Sequence, residues 1–223
     1  MGKSLEKIIT SNNEKVVAII DNEEDFFKQR GNFLKSDLAF EFSTPATAYK
    51  NLIHCFDNNI PVVCGTTGWL EKLPEIKLLC ADEKKTLLYA PNFSIGMNVF
   101  MNITAKLTHL ISQFGLYDIS ISETHHIHKK DIPSGTAIAL QNIIKDNITD
   151  SNNTKNEIPI TSIREGEIVG EHNIYYKSDV DIITFSHSAI SREAFVSGAF
   201  LAAKWLLTTK KTGFFEFKDI LGE

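Results

Sequence analysis

The chain is short of cysteine, of long apolar runs and of positive charge, and each shortage removes a class of protein. Only three cysteines occur, Cys55, Cys64 and Cys80, an odd number without paired spacing. They fit buried thiols in a reducing cytosol better than disulfides, so a cytoplasmic location is expected. No apolar run approaches the ~18 residues of a membrane span, and the first residues show no signal-peptide pattern; no membrane partner is expected. The formal net charge of -5 argues against bulk binding of nucleic acid, while leaving room for a local basic patch that takes an acidic metabolite. There is no H-E-x-x-H and no cysteine pair at zinc spacing, so no metal is expected. Internal repeats are absent. What remains is ordinary globular composition, 43% hydrophobic and 23% charged over 223 residues, enough for one large domain or two small ones.

The first half alternates short apolar runs with helical patterns. Leu5, Ile8 and Ile9 lie on one side of an opening helix. Lys15–Ile20, ending at Asp21, reads as a buried parallel strand, while Asp25–Phe33 is polar and gives no firm assignment. Leu38–Phe42 is a strand candidate, and Thr44 and Pro45 then open a helix to about Asp57. Pro61–Cys64 and Thr86–Tyr89 are strands flanking a helix at Leu73–Ala81. This order predicts a parallel α/β sheet wound in the Rossmann manner. The pattern then changes. A long amphipathic helix over Gly96–Phe114 precedes an alternating strand at Tyr117–Glu123 and a helix at Pro133–Asn147. A polar loop is expected at Asp150–Asn156. Strands at Ile158–Arg164, Gly170–Tyr176 and Asp181–Ser186, joined by short turns, suggest an antiparallel sheet. An apolar helix at Ala194–Thr208 and an aromatic tail at Phe214–Leu221 follow. A parallel half followed by a mixed sheet means two domains, and ligand sites favour the cleft between such domains.

The densest chemistry lies between Glu123 and Ala137. Three histidines (His125, His126, His128), two lysines (Lys129, Lys130) and two acids sit within nine residues. A Pro-Ser-Gly-Thr turn and a helix follow at once. A helix N-terminus offers free N–H groups and partial positive charge, so the order suits an anion beside proton donors. A solvated loop and a metal site are the competing readings. Adjacent His125 and His126 point to opposite faces of a strand, which argues against a shared metal. Asp131 either orients Lys129 or caps the helix at Pro133, and capping is the expected role. His128 reads as support or surface, and Arg192 as a residue that helps join the domains.

Two turns, Gly65-Thr66-Thr67-Gly68 and Ala90-Pro91-Asn92-Phe93, fall just past the carboxyl ends of parallel strands, where open α/β sheets bind ligands. The first is either a tight turn or a cofactor contact. Asp21 ends its strand where an acid accepts from the ribose hydroxyls of NAD. The G-x-G-x-x-G fingerprint that belongs about twenty residues earlier is absent. Met1-Gly2 reads as the last two positions of such a loop, so the first strand is expected to be missing from this chain and NAD binding to be weak.

These residues resemble the 4-hydroxy-tetrahydrodipicolinate (dihydrodipicolinate) reductase family. Glu123 to Ala137 matches the pattern E-x-H-H-x-x-K-x-D-x-P-S-G-T-A, which is highly specific. Gly65–Gly68, Ala90–Asn98, Arg164–His172 and His187–Phe195 also match family segments in order, over essentially the whole chain. The resemblance implies a Rossmann-like domain (1–94 and 193–223), here without its first strand, and an α+β substrate and oligomerisation domain (95–192) with a mixed, largely antiparallel sheet. It implies NAD(P)H-dependent reduction of a cyclic dicarboxylate in diaminopimelate and lysine biosynthesis. By motif position, His125 is the proton donor/acceptor and Lys129 the proton donor. His126, Gly135 and Thr136 bind substrate; Gly65, Thr66, Thr67, Ala90, Pro91, Asn92 and Phe93 bind cofactor. Asp21 followed by Asn22 rather than Arg favours NADH, because an acid repels a 2′-phosphate. A homotetramer through the strands from Ile158 to Ser186 is implied. A weakly active truncated member, or an oxidoreductase acting on another substrate, are the alternative expectations.

Overall fold

Two separately packed units make up the computed structural model, which describes residues 1–149 and 157–222. The loop expected at Asp150–Asn156 lies outside the described residues. The first unit joins Met1–Ile95 to the segment from Glu193 onward, and the second is Gly96–Arg192.

The first unit is a parallel sheet of β1 (Ala39–Glu41), β2 (Val62–Cys64), β3 (Thr86–Tyr89) and β8 (Gly213–Glu216), in that spatial order. Its strands are apolar on both faces, so successive side chains enter opposite cores. Val62, Cys64, Leu87 and Tyr89 pack with α3 (Pro45–Asp57) and α4 (Leu73–Asp82) through Leu52, Phe56, Ile76 and Cys80. Val63 and Leu88 pack on the opposite side with α1 (Gly2–Ser11) and α7 (Glu193–Thr209), through Leu5, Val196, Ala199 and Ala202. Burial raises the pKa of all three cysteine thiols, that of Cys55 to about 12, so they are packing groups rather than nucleophiles.

Several local expectations hold. Thr44 is the N-cap of α3 with Pro45 in its first turn, and its N–H donates to Thr47 Oγ1 at 3.4 Å. The polar stretch after Asn22, to which the sequence gives no firm assignment, is helix α2 (Glu23–Phe33), capped by the Asn22 side chain, which accepts from Asp25 N–H at 2.9 Å. The aromatic tail supplies β8 and the short α8 (Phe217–Ile220).

The run Lys15–Ile20 is not a strand. Among the described residues the sheet ends at β1, whose ladder partner is β2. Apolar content makes a strand only where a neighbour supplies hydrogen bonds. Here the Gln29 side chain takes that place, accepting from Ile19 N–H at 3.2 Å and donating to the Ile19 carbonyl. Ile19 and Ile20 stay exposed.

In the second unit α5 (Ile95–Ser112) and α6 (Gly135–Asn147) cover one face of a mixed sheet ordered β5-β4-β6-β7. The strands are β4 (Asp118–His125), β5 (Ile160–Arg164), β6 (Gly170–Lys177) and β7 (Ile182–Ala189). β6 pairs antiparallel with β4 and β7. The expected antiparallel pairing of the 158–164 strand with the next one is wrong: β5 lies parallel to β4. Helix α6 makes the connection between β4 and β5 a crossover, which returns the chain in the same direction.

Candidate active site

Register builds the centre of the site. Glu123 on β4 stands opposite Ser162 on β5 and opposite His172 on β6, and His125 stands opposite Arg164. Ile121, Glu123 and His125 alternate onto the buried face of β4, with His172 and Ile174 beside them on β6. A carboxylate is thereby placed in the interior with 0% of its area exposed.

Burying an unpaired charge is costly, and Glu123 is well provided with donors. Its Oε1 accepts from Ser134 N–H at 2.9 Å, from Ser162 Oγ at 2.7 Å and from Arg164 Nη2 at 3.2 Å. Burial opposes its ionisation, but the Ser134, Ser162 and Arg164 donors prevail and hold the carboxyl below its usual pKa. Oε2 faces the histidines, 3.3 Å from His125 Nδ1 and 3.9 Å from His172 Nε2.

Arg164 also shapes the loop that follows β4. Its Nη2 donates to the Asp131 carbonyl at 2.6 Å and its Nε to the Lys129 carbonyl at 3.4 Å. Within that loop Lys129 Nζ donates to both carboxylate oxygens of Asp131, at 2.8 and 2.9 Å. The expected cap role of Asp131 passes to Ser134, whose Oγ accepts from Ala137 N–H at 3.2 Å. Ser134 is the residue with extended backbone immediately before α6, where a short hydroxyl reaches the N3 amide. Lys129 holds the Asp131 pKa down, and the Gly135 N–H contributes in the same sense.

His125 is buried, and its Nε2 lies over Gly170: a Cβ there would stand 3.1 Å from that nitrogen. Desolvation lowers the His125 pKa, with Glu123 pulling the other way. His126 sits with Nε2 3.4 Å from Arg192 Nη2, so Arg192 contacts a candidate residue of its own unit. His128 is exposed beside Glu167 at 3.4 Å. Gly135 is exposed and Thr136 half-buried in the first turn of α6.

His172 is 3% exposed, and burial, followed by the charge of His125, pushes its pKa down to about 4. Above pH 6.5 this imidazole is neutral in both the folded and the unfolded chain. As pH falls the unfolded chain takes up the proton first, so stability declines from pH 6.5 and levels off below about 4. From this residue alone the loss is about 3 kcal/mol. Denaturant titrations at pH 7 and pH 4.5 should show it, and His172→Gln should flatten the slope. An equal slope in that variant would refute the assignment.

Glu123, His125 and His172 bring one ligand atom each within 4.8 Å of one another, a spacing that suits a metal. The Arg164 guanidinium, 3.2 Å from the carboxylate, is the cation this cluster already contains, so a divalent ion there would be repelled by a fixed charge.

In the first unit the two expected cofactor turns follow the carboxyl ends of β2 and β3 in the parallel sheet, whereas Asp21 follows a run that is not part of that sheet. Gly65 N–H continues the ladder to the Glu41 carbonyl at 3.0 Å, and Ala90 N–H to the Cys64 carbonyl at 3.1 Å. Thr67 and Pro91 are exposed, as is Asp21 at the end of the 15–20 run. Thr66 and Phe93 are buried. Thr66 Oγ1 accepts from Ser43 N–H at 2.9 Å, and Phe93 packs between Phe42 and Phe217. These two form the walls of the turns. Gly198 on α7 lets the 90–93 turn approach: a Cβ there would lie 1.7 Å from the Phe93 carbonyl oxygen.

Comparison with known proteins decides the family. Residues 1–93 match the family described as dihydrodipicolinate reductase, N-terminus, and residues 96–221 the one described as dihydrodipicolinate reductase, C-terminus. The chain belongs to the dihydrodipicolinate reductase family. It is 38% identical to the 4-hydroxy-tetrahydrodipicolinate reductase of Christiangramia forsetii and 35% identical to that of Thermosipho africanus. Both alignments cover 100% of this chain and 94% of the relative. Among solved structures, a dipicolinate-bound dihydrodipicolinate reductase from a Paenisporosarcina species superposes with a TM-score of 0.71 at 24% identity, covering 87% of this chain and 76% of that one. In this reductase-family chain Asp21 and the two turns fall in the N-terminal match, while His125, His126, Lys129, Gly135 and Thr136 fall in the C-terminal one.

Proposed function

We propose that this chain reduces 4-hydroxy-tetrahydrodipicolinate to tetrahydrodipicolinate, in the diaminopimelate route to lysine. Water is lost, and a hydride and a proton are added to the cyclic dicarboxylate. The observation that carries the reading is the convergence of a buried His125–Glu123 pair and a Lys129–Asp131 pair at the strand-to-helix junction before α6. His125 and Lys129 exchange protons with the reacting ring. The Gly135 and Thr136 N–H groups in the first turn of α6, with His126, hold its carboxylates.

A nicotinamide dinucleotide fits the first unit, where two short turns and an exposed acid follow parallel strands or extended chain. When bound, its nicotinamide supplies the hydride. Gly65, Thr66, Thr67 and Ala90 to Phe93 line its place, and Asp21 takes the ribose hydroxyls. An acid at that position selects NADH. The polar outer face of the second sheet, where Ser122 contacts both Asn173 and Tyr175, is the candidate surface for a homotetramer in the cytoplasm.

The test is NAD(P)H oxidation coupled to the synthase that makes the substrate. Loss of the nicotinamide absorbance, with a lower KM for NADH than for NADPH, is the expected result. Activity on an unrelated imine or carbonyl with none on the dicarboxylate would overturn the reaction. A much lower KM for NADPH would overturn the cofactor preference.

A further inference from the structure

We propose that Glu123 is a positioning residue that sets the tautomer of His125, presenting a bare Nε2 to the substrate and linking the proton-exchanging imidazole to the anion-binding end of α6. This rests on the reading of His125 as the proton-exchanging group.

Geometry divides the work of the carboxylate between its two oxygens. Oε1 collects three donors from three elements: Ser134 N–H before α6, Ser162 Oγ on β5 and Arg164 Nη2 at the end of β5. All three are donors, so Oε1 must be an acceptor and the carboxylate cannot rotate without breaking them. Oε2 and His125 Nδ1 are both buried and lie 3.3 Å apart, yet neither makes a hydrogen bond. Two buried, unpaired atoms of complementary character at this distance are both satisfied if the ring carries its proton on Nδ1 and turns slightly to direct it at Oε2. The opposite ring nitrogen, over the Cβ-less Gly170, then carries the lone pair.

The neighbours agree with that polarity. His172 approaches the same carboxylate from β6, with Nε2 3.9 Å from Oε2 and 3.4 Å from Ser134 Oγ. Its own pKa is depressed, which keeps it neutral, so it adds no second proton to the pair. Around His125 the charged and titratable groups are Glu123 on its own strand, Lys129 and Asp131 in the following loop, Arg164 on β5 and His172 on β6. Of these, Glu123 is the largest influence that raises the His125 pKa, while Lys129 and Arg164 lower it. Glu123 therefore both directs the Nδ1 proton and favours the imidazolium that donates from Nε2.

Glu123→Gln makes the inference sharp. The amide oxygen must occupy the Oε1 place to keep the Ser134, Ser162 and Arg164 donors. Its NH₂ then faces His125 Nδ1 and donates to it, which reverses the tautomer. The measurement is nitrogen-15 NMR of labelled imidazole, with the His125 signal assigned by its loss in His125→Asn. The neutral wild-type ring should be protonated on Nδ1 and the Glu123→Gln ring on Nε2. In the coupled assay the variant should lose about 10²-fold in kcat, with little change in KM for the dicarboxylate. The pKa governing donation should move down, because an anion has been removed. A residue that was merely structural would leave tautomer and pH profile unchanged.

Wild-type protein with His125 protonated on Nε2 would overturn the proposal, and this needs no variant to fold. An unchanged tautomer in folded Glu123→Gln would overturn it too. Wild-type protein with the Nδ1–H tautomer but no turnover of the dicarboxylate would instead defeat the proposed reaction, so the two failures are distinct.

Discussion

Lys129→Met should lower kcat of the dicarboxylate reduction about 10²- to 10³-fold at neutral pH while leaving the unfolding midpoint nearly unchanged. The lysine stem runs along the loop with 23% of its side chain exposed, and methionine can follow the same path. What disappears is the ammonium, the donor placed beside Asp131. The partner carboxylate is more than half exposed, so losing this ion pair costs little stability. Lys129→Arg retains the charge but not a proton that can leave, because a guanidinium is not deprotonated in proteins. It should recover KM more than kcat. Full activity in Lys129→Met would remove the residue from the proton pathway. A collapse of the melting temperature would reassign it to structure.

Arg164→Met should be the most destabilising single change in the second unit, costing about 3–5 kcal/mol. Among the described residues it strips the one permanently charged cation within salt-bridge distance of a carboxylate that has no exposed area, and it removes two donors to the carbonyls of the loop carrying Lys129. The appropriate measurement is a double-mutant cycle with Glu123→Gln in denaturant unfolding. If the penalty comes from an uncompensated buried charge, the double variant should be more stable than Arg164→Met alone. Simple additivity of the two effects would show that Arg164 acts through packing and the loop contacts instead.

Much of this arrangement was legible in the sequence, and where reading failed the cause was partnership between distant segments. The winding of β1, β2 and β3 with their helices followed from apolar runs and cap residues, which are local properties. Residues 15–20 carry the same signature as those strands, yet form no ladder, because a strand is defined by a neighbour that no local pattern encodes. The direction of β5 escaped for the same reason. In the site, the run from Glu123 to Ala137 announced itself by density of charge, and the alternation of β4 foretold that His125 and His126 would part. Glu123 drew no role although it shares the alternation phase of Ile119 and Ile121, because nothing local shows what would pair with an acid there. Its burial depends on Ser162, Arg164 and His172, between 39 and 49 positions further along and brought alongside by register. The one signal available was the pairing of a buried-phase acid on one strand with an arginine ending another.

The outer strand β8 follows the entire second unit in the chain but pairs with β3, which precedes it. Synthesis therefore delivers β3 long before its second neighbour exists. Until residues 193–209 have left the ribosome, α7, which packs against Val63 and Leu88, is missing from one face, and until residues 213–216 follow, β3 presents an unpaired edge. The second unit, continuous in the chain, has no such wait. A nascent chain halted after Arg192 holds everything the proton site requires and only part of what the dinucleotide sheet requires.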